Sequence, residues 1–399
     1  MFNTFSRPLL DPRHYRMDDL LRCPYSAATP FSCAGEIVWA DAPQGWGFRG
    51  GVHIGQKTSP EGIGPFTLTL SVEGEPIEPG DALYRPSHVT LNGRHEDSGL
   101  QVTEDKFITD DDVIVSVISL RNPSDVTVAV ELDYSWGIGS GAAEIAGNAV
   151  WIRREAPAGD DLIQSLSSGA RRTLVFAAAV APSREEAFYR SAYWRDRENP
   201  AYAQATAYQN WFTENAPRFD CSDPWLTTLW YQQWAAVRRL RGETDEAEKE
   251  IQGLLSSRAD GVFQAVTEYA KAQYSGGDFT LPRDPDTRAP VRYSGTTQPA
   301  FCRLIQEQLL GVAVRDDETL VVAPTLPLPE EGGWAHFCLE NFSYQGRLFT
   351  IVWDDPRDPS VDVYQDGDMG LTVYADGRRI YHQENLNPFS VELPLQGMV

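Results

Sequence analysis

Between residues 31 and about 182, apolar positions recur with a period of two, in short runs separated by clusters of Gly, Pro, Asn and Asp. The segments GPFTLTLSVEG, DDDVIVSVISLRN and DVTVAVELDYSW are the clearest cases. Side chains alternate across a strand, so such runs describe half-buried β-strands closed by turns. Val113 to Leu120 and Val126 to Leu132 flank Arg121-Asn122-Pro123-Ser124-Asp125, which reads as a hairpin loop. Arg171 to Pro182 reads as a further strand, stopped by its proline. Many short strands at this spacing predict a β-sandwich.

The period then changes. From Ser183 to Ala216 helix formers and aromatics take over, and Ser183 followed by Glu185 and Glu186 reads as an N-cap with acids in the first turn. In FDCSDPWLTTLWYQQWAAVRRLRG, Ser222 or Asp223 can cap and Pro224 suits the first helical turn. Leu226, Leu229, Trp230, Trp234 and Val237 line one face of that helix, and Arg238, Arg239 and Arg241 sit where its dipole favours cations. Weaker helical patterns cover Asp245 to Leu255 and Gly261 to Tyr274. A Pro/Asp-rich loop leads from there to a last helix, PAFCRLIQEQLLG, ending at Gly311. Beyond it β patterns return, with ADGRR as a hairpin turn. The expected fold is therefore mainly β with a helical insert. It comprises an N-terminal β-sandwich (1–182), linker helices (183–219), a short helical block (220–312) and a C-terminal β-module (313–399).

Charge narrows the function classes. With 57 acidic against 34 basic residues the net charge is −23, and no Lys/Arg cluster reverses it locally, so a nucleic-acid partner is not expected. No stretch reaches the roughly 18 to 20 apolar residues of a membrane span, and the charged first residues do not form a signal peptide. The cysteines (Cys23, Cys33, Cys221, Cys302 and Cys338) lack metal spacing and read as buried thiols of a cytoplasmic protein, with Cys23 and Cys33 near enough in sequence to bridge a loop. The six histidines show no HxH or HExxH spacing, so neither a metal nor another cofactor is expected.

Three segments in this order carry a likeness: FITDDDVIVSVISLRNPSD, NWFTENAPRFDCSDPWLTTLWYQQWAAVRRL, and SGTTQPAFCRLIQEQLLGV followed by LVVAPTLPLP and NFSYQGRLFTIVW. Together they resemble glycosidases built on a six-hairpin helical toroid, of the mannosylglycerate-hydrolase-like, trehalase-like and glycoside-phosphorylase-like groups. The resemblance implies a sandwich, an approach to the first barrel helix, and a last barrel helix with a closing β-module. It also implies catalytic carboxylates, one of them shortly before a D-P-x-T-G-like loop. Here that loop is Asp284-Pro285-Asp286-Thr287-Arg288, and the matching upstream position falls near Leu281. Twelve helices need on the order of 300 residues, whereas roughly 90 lie between the first and last barrel-like helices, room for about four.

A shortened helical block implies a rebuilt pocket. Its candidate acids and bases are Glu268, Asp284 and Asp286. Candidate ligand contacts are Asp278, Arg283 and Tyr293, with Arg292 beside them, and the aromatics Trp225, Trp230 and Trp234 with Tyr231. Aromatic faces suit C–H-rich rings, and a buried carboxylate can act as acid or base. The competing readings are helix-to-sandwich packing for the aromatics and an exposed acidic loop for the carboxylates. DDPRD at Asp354 to Asp358 mimics an aspartate-rich motif for Mg²⁺ and diphosphate, but it follows a strand and contains proline where that chemistry uses a helix, so it reads as a decoy; Asp110-Asp111-Asp112 reads as a solvated turn. His88 and His95 flank a turn at Asn92-Gly93, and GWGFRGG reads as a cluster of β-turns.

Two functions remain open at this level. One is a cofactor-independent enzyme on a glycosidase-derived scaffold, with a small intracellular glycoside or ring-rich polycyclic metabolite as its small-molecule ligand, acting by hydrolase, lyase, isomerase or cyclase chemistry. The other is a non-catalytic sugar- or metabolite-binding pseudoenzyme. An apolar face left on the shortened helical block would favour a homodimer.

Overall fold

A computed structural model describes residues 23–24, 32–35, 37–41, 45–54, 61–145, 148–157, 163–224, 226–231, 234, 302, 305–315, 319–327, 329–344, 347–357, 363–364 and 369–392. Strands are numbered along the chain. One antiparallel sheet runs in the order β1 (Cys23–Pro24), β7 (Pro79–Tyr84), β8 (Val89–Arg94), β9 (Gln101–Ile108), β10 (Val113–Arg121), β15 (Arg171–Ala181), β13 (Asn148–Glu155), β12 (Gly141–Ile145). A second runs β14 (Ile163–Leu166), β11 (Val128–Trp136), β5 (Glu61–Val72), β4 (Gly47–Ile54), β3 (Val38–Asp41), β2 (Ser32–Ala34), with β6 (Glu75–Pro76) beside β5. Their inner faces meet: Phe66 of the second sheet lies 5.2 Å from Phe176 of the first, and one buried apolar cluster spans both. This is the sandwich that the period-two pattern predicts.

The burial of each strand follows what covers it. On β11, buried and exposed positions alternate because its outer face meets water. On β10 and β15 almost every position is buried, because helix α1 (Arg184–Arg195) lies across their outer face, with Trp194 edge-on to Phe107 at 5.5 Å. The α1 start matches the sequence: Ser183 is extended and its hydroxyl accepts from Glu186 N at 3.2 Å. Helix α2 (Pro200–Asn215) follows, capped by Asn199. It links two cores, contributing Ala201 to the sandwich cluster and Tyr208 and Phe212 to the next.

Several expectations need correction: Asn92 and Gly93 lie within β8 and pair with β9 rather than forming a turn, and most of GWGFRGG belongs to β4. Val113 to Leu120 and Val126 to Leu132 do not form a hairpin. β10 pairs with β9 and β15 whereas β11 pairs with β5 and β14, so the intervening loop crosses from one sheet to the other. Asn122 braces the crossing by donating to the carbonyls of Val126 and Leu166 at 2.7 and 2.9 Å. Nor is the Asp110–Asp112 turn wholly solvated. Asp112 is buried at φ 63°, and its carboxylate accepts from Ile37 N and Val38 N at 2.8 and 2.9 Å, tying the turn to β3.

The second core gathers the rest. β16 (Arg218–Cys221) forms the edge of a sheet that continues β19 (His336–Tyr344), β20 (Arg347–Asp354), β21 (Gly370–Ala375), β22 (Arg378–Gln383). A small sheet of β17 (Val312–Val314), β18 (Thr319–Val322) and β23 (Phe389–Glu392) stands beside it. After β16 the chain turns helical at Pro224, where Thr227 N donates to the Asp223 carbonyl at 3.2 Å. Leu226, Leu229, Trp230 and Trp234 are all buried on the predicted face. Near 310 the helix closes with a wide π turn (Ile305–Leu309), in which Leu310 N reaches back to Ile305 O. Gly311 then adopts φ 61°, and a Cβ there would run into the Ala323 carbonyl oxygen. The ADGRR hairpin is present, with Asp376 and Gly377 at φ 50° and 75° joining β21 to β22. The helices expected at Asp245 to Leu255 and Gly261 to Tyr274 lie outside the described residues. Among the described residues no helix is long and apolar enough to cross a membrane.

Candidate functional site

Antiparallel register decides which side chains meet on the C-terminal sheet. On one face Phe219, Leu339, Ile351 and Val373 stand in a row across four strands and pack into the second core. The residues one step along point the other way, and there the row is Asp220, Cys338, Val352, Thr372 and His382. This opposite face is rich in hydrogen-bonding and titratable groups, and it gathers around Asp220.

The Tyr364 hydroxyl donates to Asp220 Oδ2 at 3.2 Å, and the Thr227 hydroxyl stands 3.5 Å from Oδ1. The His336 ring meets the Tyr364 ring nearly edge-on at 5.9 Å. His336 is also the register partner of Asp354, whose buried carboxylate accepts from Val363 N at 3.1 Å. One row further in, Arg218 Nη1 donates to Glu340 Oε2 at 2.9 Å in a buried ion pair. Across the sheet Thr372 Oγ1 and His382 Nδ1 are 2.9 Å apart.

These surroundings shift the protonation equilibria. Burial lowers the His336 pKa below the ordinary imidazole value, and the nearby Asp220 carboxylate only partly offsets this. His336 is therefore neutral at pH 7 and half-exposed, able to accept a proton. Burial pushes the Tyr364 phenol well up, and the Asp220 charge adds to the shift, so Tyr364 stays a donor. Burial likewise raises the Cys221 thiol, so it stays protonated. Taken together, the group offers a carboxylate held by hydroxyl donors beside a neutral imidazole, a set suited to acid–base work on a polar ligand.

The residues nominated from sequence fall in two groups. Trp230 and Trp234 lie inside the second core. The Trp230 indole donates to the Pro217 carbonyl at 2.9 Å and its ring tilts against Phe219 at 4.9 Å. Trp234 is 3% exposed. Tyr231, beside them, accepts from Phe219 N at 3.1 Å, and burial raises its pKa. Trp225, Glu268, Asp278, Arg283, Asp284, Asp286, Arg292 and Tyr293 lie outside the described residues.

Asp220, His336 and Tyr364 were not singled out by sequence reasoning. The available signal was the run FDCSD followed, far downstream, by HFCLENF with its alternating polar positions. Asp355 and Arg357 of the DDPRD run pair with each other at 2.9 Å in the turn after β20, and Arg357 also reaches Glu330. Around His88, Ser87 Oγ is 2.7 Å from Nδ1 and the Asp105 carboxylate lies 3.8 Å from Nε2. Around His95, Ser98 Oγ is 2.9 Å from Nδ1. Among the described residues no group of three or more His, Cys, Asp or Glu is arranged to hold a metal ion.

No protein-family model matches this chain, and no curated protein does. Among solved structures it is similar to one described as "Putative kojibiose phosphorylase from human microbiome", at 9% identity and a TM-score of 0.36, over 61% of this chain and 42% of that one. It is also similar to a sialidase, at 10% identity and a TM-score of 0.28, over 94% of this chain and 58% of that one. The chain thus spans less than two thirds of the length of either. At these scores neither likeness assigns a family.

Proposed function

We propose that this chain is a cofactor-independent enzyme acting on a small glycoside or ring-rich metabolite, built on a toroid-glycosidase type of scaffold whose helical block has been shortened and rebuilt. What supports the reading is the order of parts. A β-sandwich passes through two linker helices into a helical segment and then a closing β-module, the succession that the three sequence segments suggest. The two ends of the short block also share a core: Leu226, Trp230, Cys302, Ile305 and Leu309 belong to the same buried cluster as Phe337 of the C-terminal sheet.

The reaction is tested by screening mono- and disaccharides, glycosides and aromatic polycycles in a thermal-shift assay and then assaying turnover of the hits. Stabilisation by at least one glycoside or polycycle, followed by conversion, is the expected result. Glu268→Gln and Asp284→Asn should each lower that turnover at least 100-fold, the loss typical for a catalytic acid or base. A second reading, a binding protein without catalysis, is favoured by one residue: Leu281 stands where the resemblance would put a catalytic glutamate. Binding without conversion, unaltered by Glu268→Gln, would establish that reading instead.

A further inference from the structure

Helix α1 covers the sandwich with one face, and its other face carries exposed aromatics. Phe188, Tyr189 and Tyr193 are 54%, 70% and 47% exposed. Tyr189 and Tyr193 are neighbours one turn apart, with ring planes within 22° and centroids 6.3 Å apart. Glu185, Tyr189 and Tyr193 form a row at four-residue spacing, about 12 Å long along the helix axis, and Arg197, two residues beyond the last helical residue, continues it past Tyr193. Arg197 braces the row. Its guanidinium lies 4.9 Å from the centre of the Tyr193 ring and also bonds the Tyr193 hydroxyl.

This order of acid, aromatic, aromatic and base is complementary to its own reverse. We propose that α1 is the contact surface for a second copy of this chain, packed antiparallel about a two-fold axis passing between Tyr189 and Tyr193. In that arrangement each Glu185 meets the Arg197 of the other copy, the aromatic rings stack across the axis, and the helix dipoles oppose. Charge and area both support a second copy. Two chains of net charge −23 repel over most of their surface, whereas residues 184–198 carry four arginines against four acids, so this segment adds no net repulsion. Three aromatics exposed by about half or more offer roughly 260–430 Å² of ring surface. That is about a third to a half of the roughly 800 Å² per partner in a standard interface, and overlaps the range of the largest apolar patches on monomers, which are often functional.

Sedimentation equilibrium of the full chain between 5 and ~200 µM tests the proposal, with circular dichroism confirming that each variant is folded. The wild-type chain is expected to approach twice the monomer mass. Tyr189→Ser with Tyr193→Ser, at exposed positions, should raise the dissociation constant at least tenfold. Glu185→Arg alone and Arg197→Glu alone should each weaken the dimer, and the two together should restore it, because the swap re-pairs the charges across the axis. A native-like wild type that stays monomeric throughout overturns the proposal. So does a dimer that the tyrosine variant leaves unchanged, or single charge variants whose losses merely add in the double. If the wild type is monomeric and a trisaccharide such as maltotriose binds it but not the tyrosine variant, the row is a saccharide platform and the proposal again falls.

Discussion

Replacing Lys106 by methionine keeps most of the side-chain volume and removes one buried charge. Lys106 and Glu104 are both fully buried between the sandwich sheets, 3.5 Å apart. The ammonium donates to the carbonyls of Gly45 and Gly47 at 2.8 and 2.5 Å, while the Glu104 carboxylate accepts from Gly47 N at 2.9 Å and from the Ser116 hydroxyl at 2.6 Å. The pair therefore joins β9 and β10 of one sheet to the start of β4 in the other. Removing one partner of a buried pair costs about 3–5 kcal/mol, because the remaining charge is left in a low-dielectric interior. In this sandwich that is a fall in melting temperature of roughly 6–20 °C.

The effect carries a pH signature. Burial raises the Glu104 pKa, with Lys106 the main opposing influence, so losing Lys106 raises it further. A carboxyl whose folded pKa exceeds its unfolded value favours the fold at low pH, and that contribution is lost as pH rises through the folded value. Lys106→Met should thus be more destabilising at pH 8 than at pH 5, where Glu104 can take up a proton. Glu104→Gln added to Lys106→Met should recover more than half of the loss at pH 8. Urea unfolding at both pH values is the assay, with hydrogen exchange of β9 and β10 peptides reporting the sandwich separately from the C-terminal core. A loss under about 1 kcal/mol, or an equal loss at both pH values, would refute the reasoning.

Three further outcomes follow from individual contacts. Gly311→Ala should cost more than about 3 kcal/mol, since a left-handed φ and a contact with the Ala323 carbonyl both oppose a Cβ; urea unfolding of the C-terminal core reads it. NMR titration should find the His336 pKa below the ordinary value and lower still in Asp220→Asn, which removes the carboxylate that raises it. With a depressed folded pKa, His336 should also make the chain lose stability as pH falls below about 6.5, a slope that His336→Gln flattens. Tyr364→Phe should cost about 1.5–3 kcal/mol through the lost bond to Asp220, measured by urea unfolding, with Asp220→Asn making that cost smaller.

Local pattern read well wherever the deciding interaction was local. Strand β10 falls within a residue of its expected end, Ser183 caps its helix as expected, and the Asp376-Gly377 turn has the positive φ angles its residues allow. The Arg121 to Asp125 loop shows the limit: the same turn residues suit a hairpin or a crossing between sheets, and only the distant partners β5 and β15 decide which. Glu104 and Lys106 stand in the polar run Thr103 to Lys106 of β9, and nothing local indicates that these two turn inward or that a glycine turn in the other sheet would receive both charges. Asp220 and Tyr364 are 144 residues apart, so no spacing rule could join them.

The sequence by itself determined the strand and helix periods, the caps and the glycine-dependent turns, because dihedral preferences and side-chain alternation act over a few residues. The tertiary structure alone decided which sheet each strand joins, which aromatics are enclosed, and that Asp220, His336 and Tyr364 share a face. Those outcomes depend on register and burial between distant segments, where a one-residue slip would exchange the apolar and titratable faces of the C-terminal sheet.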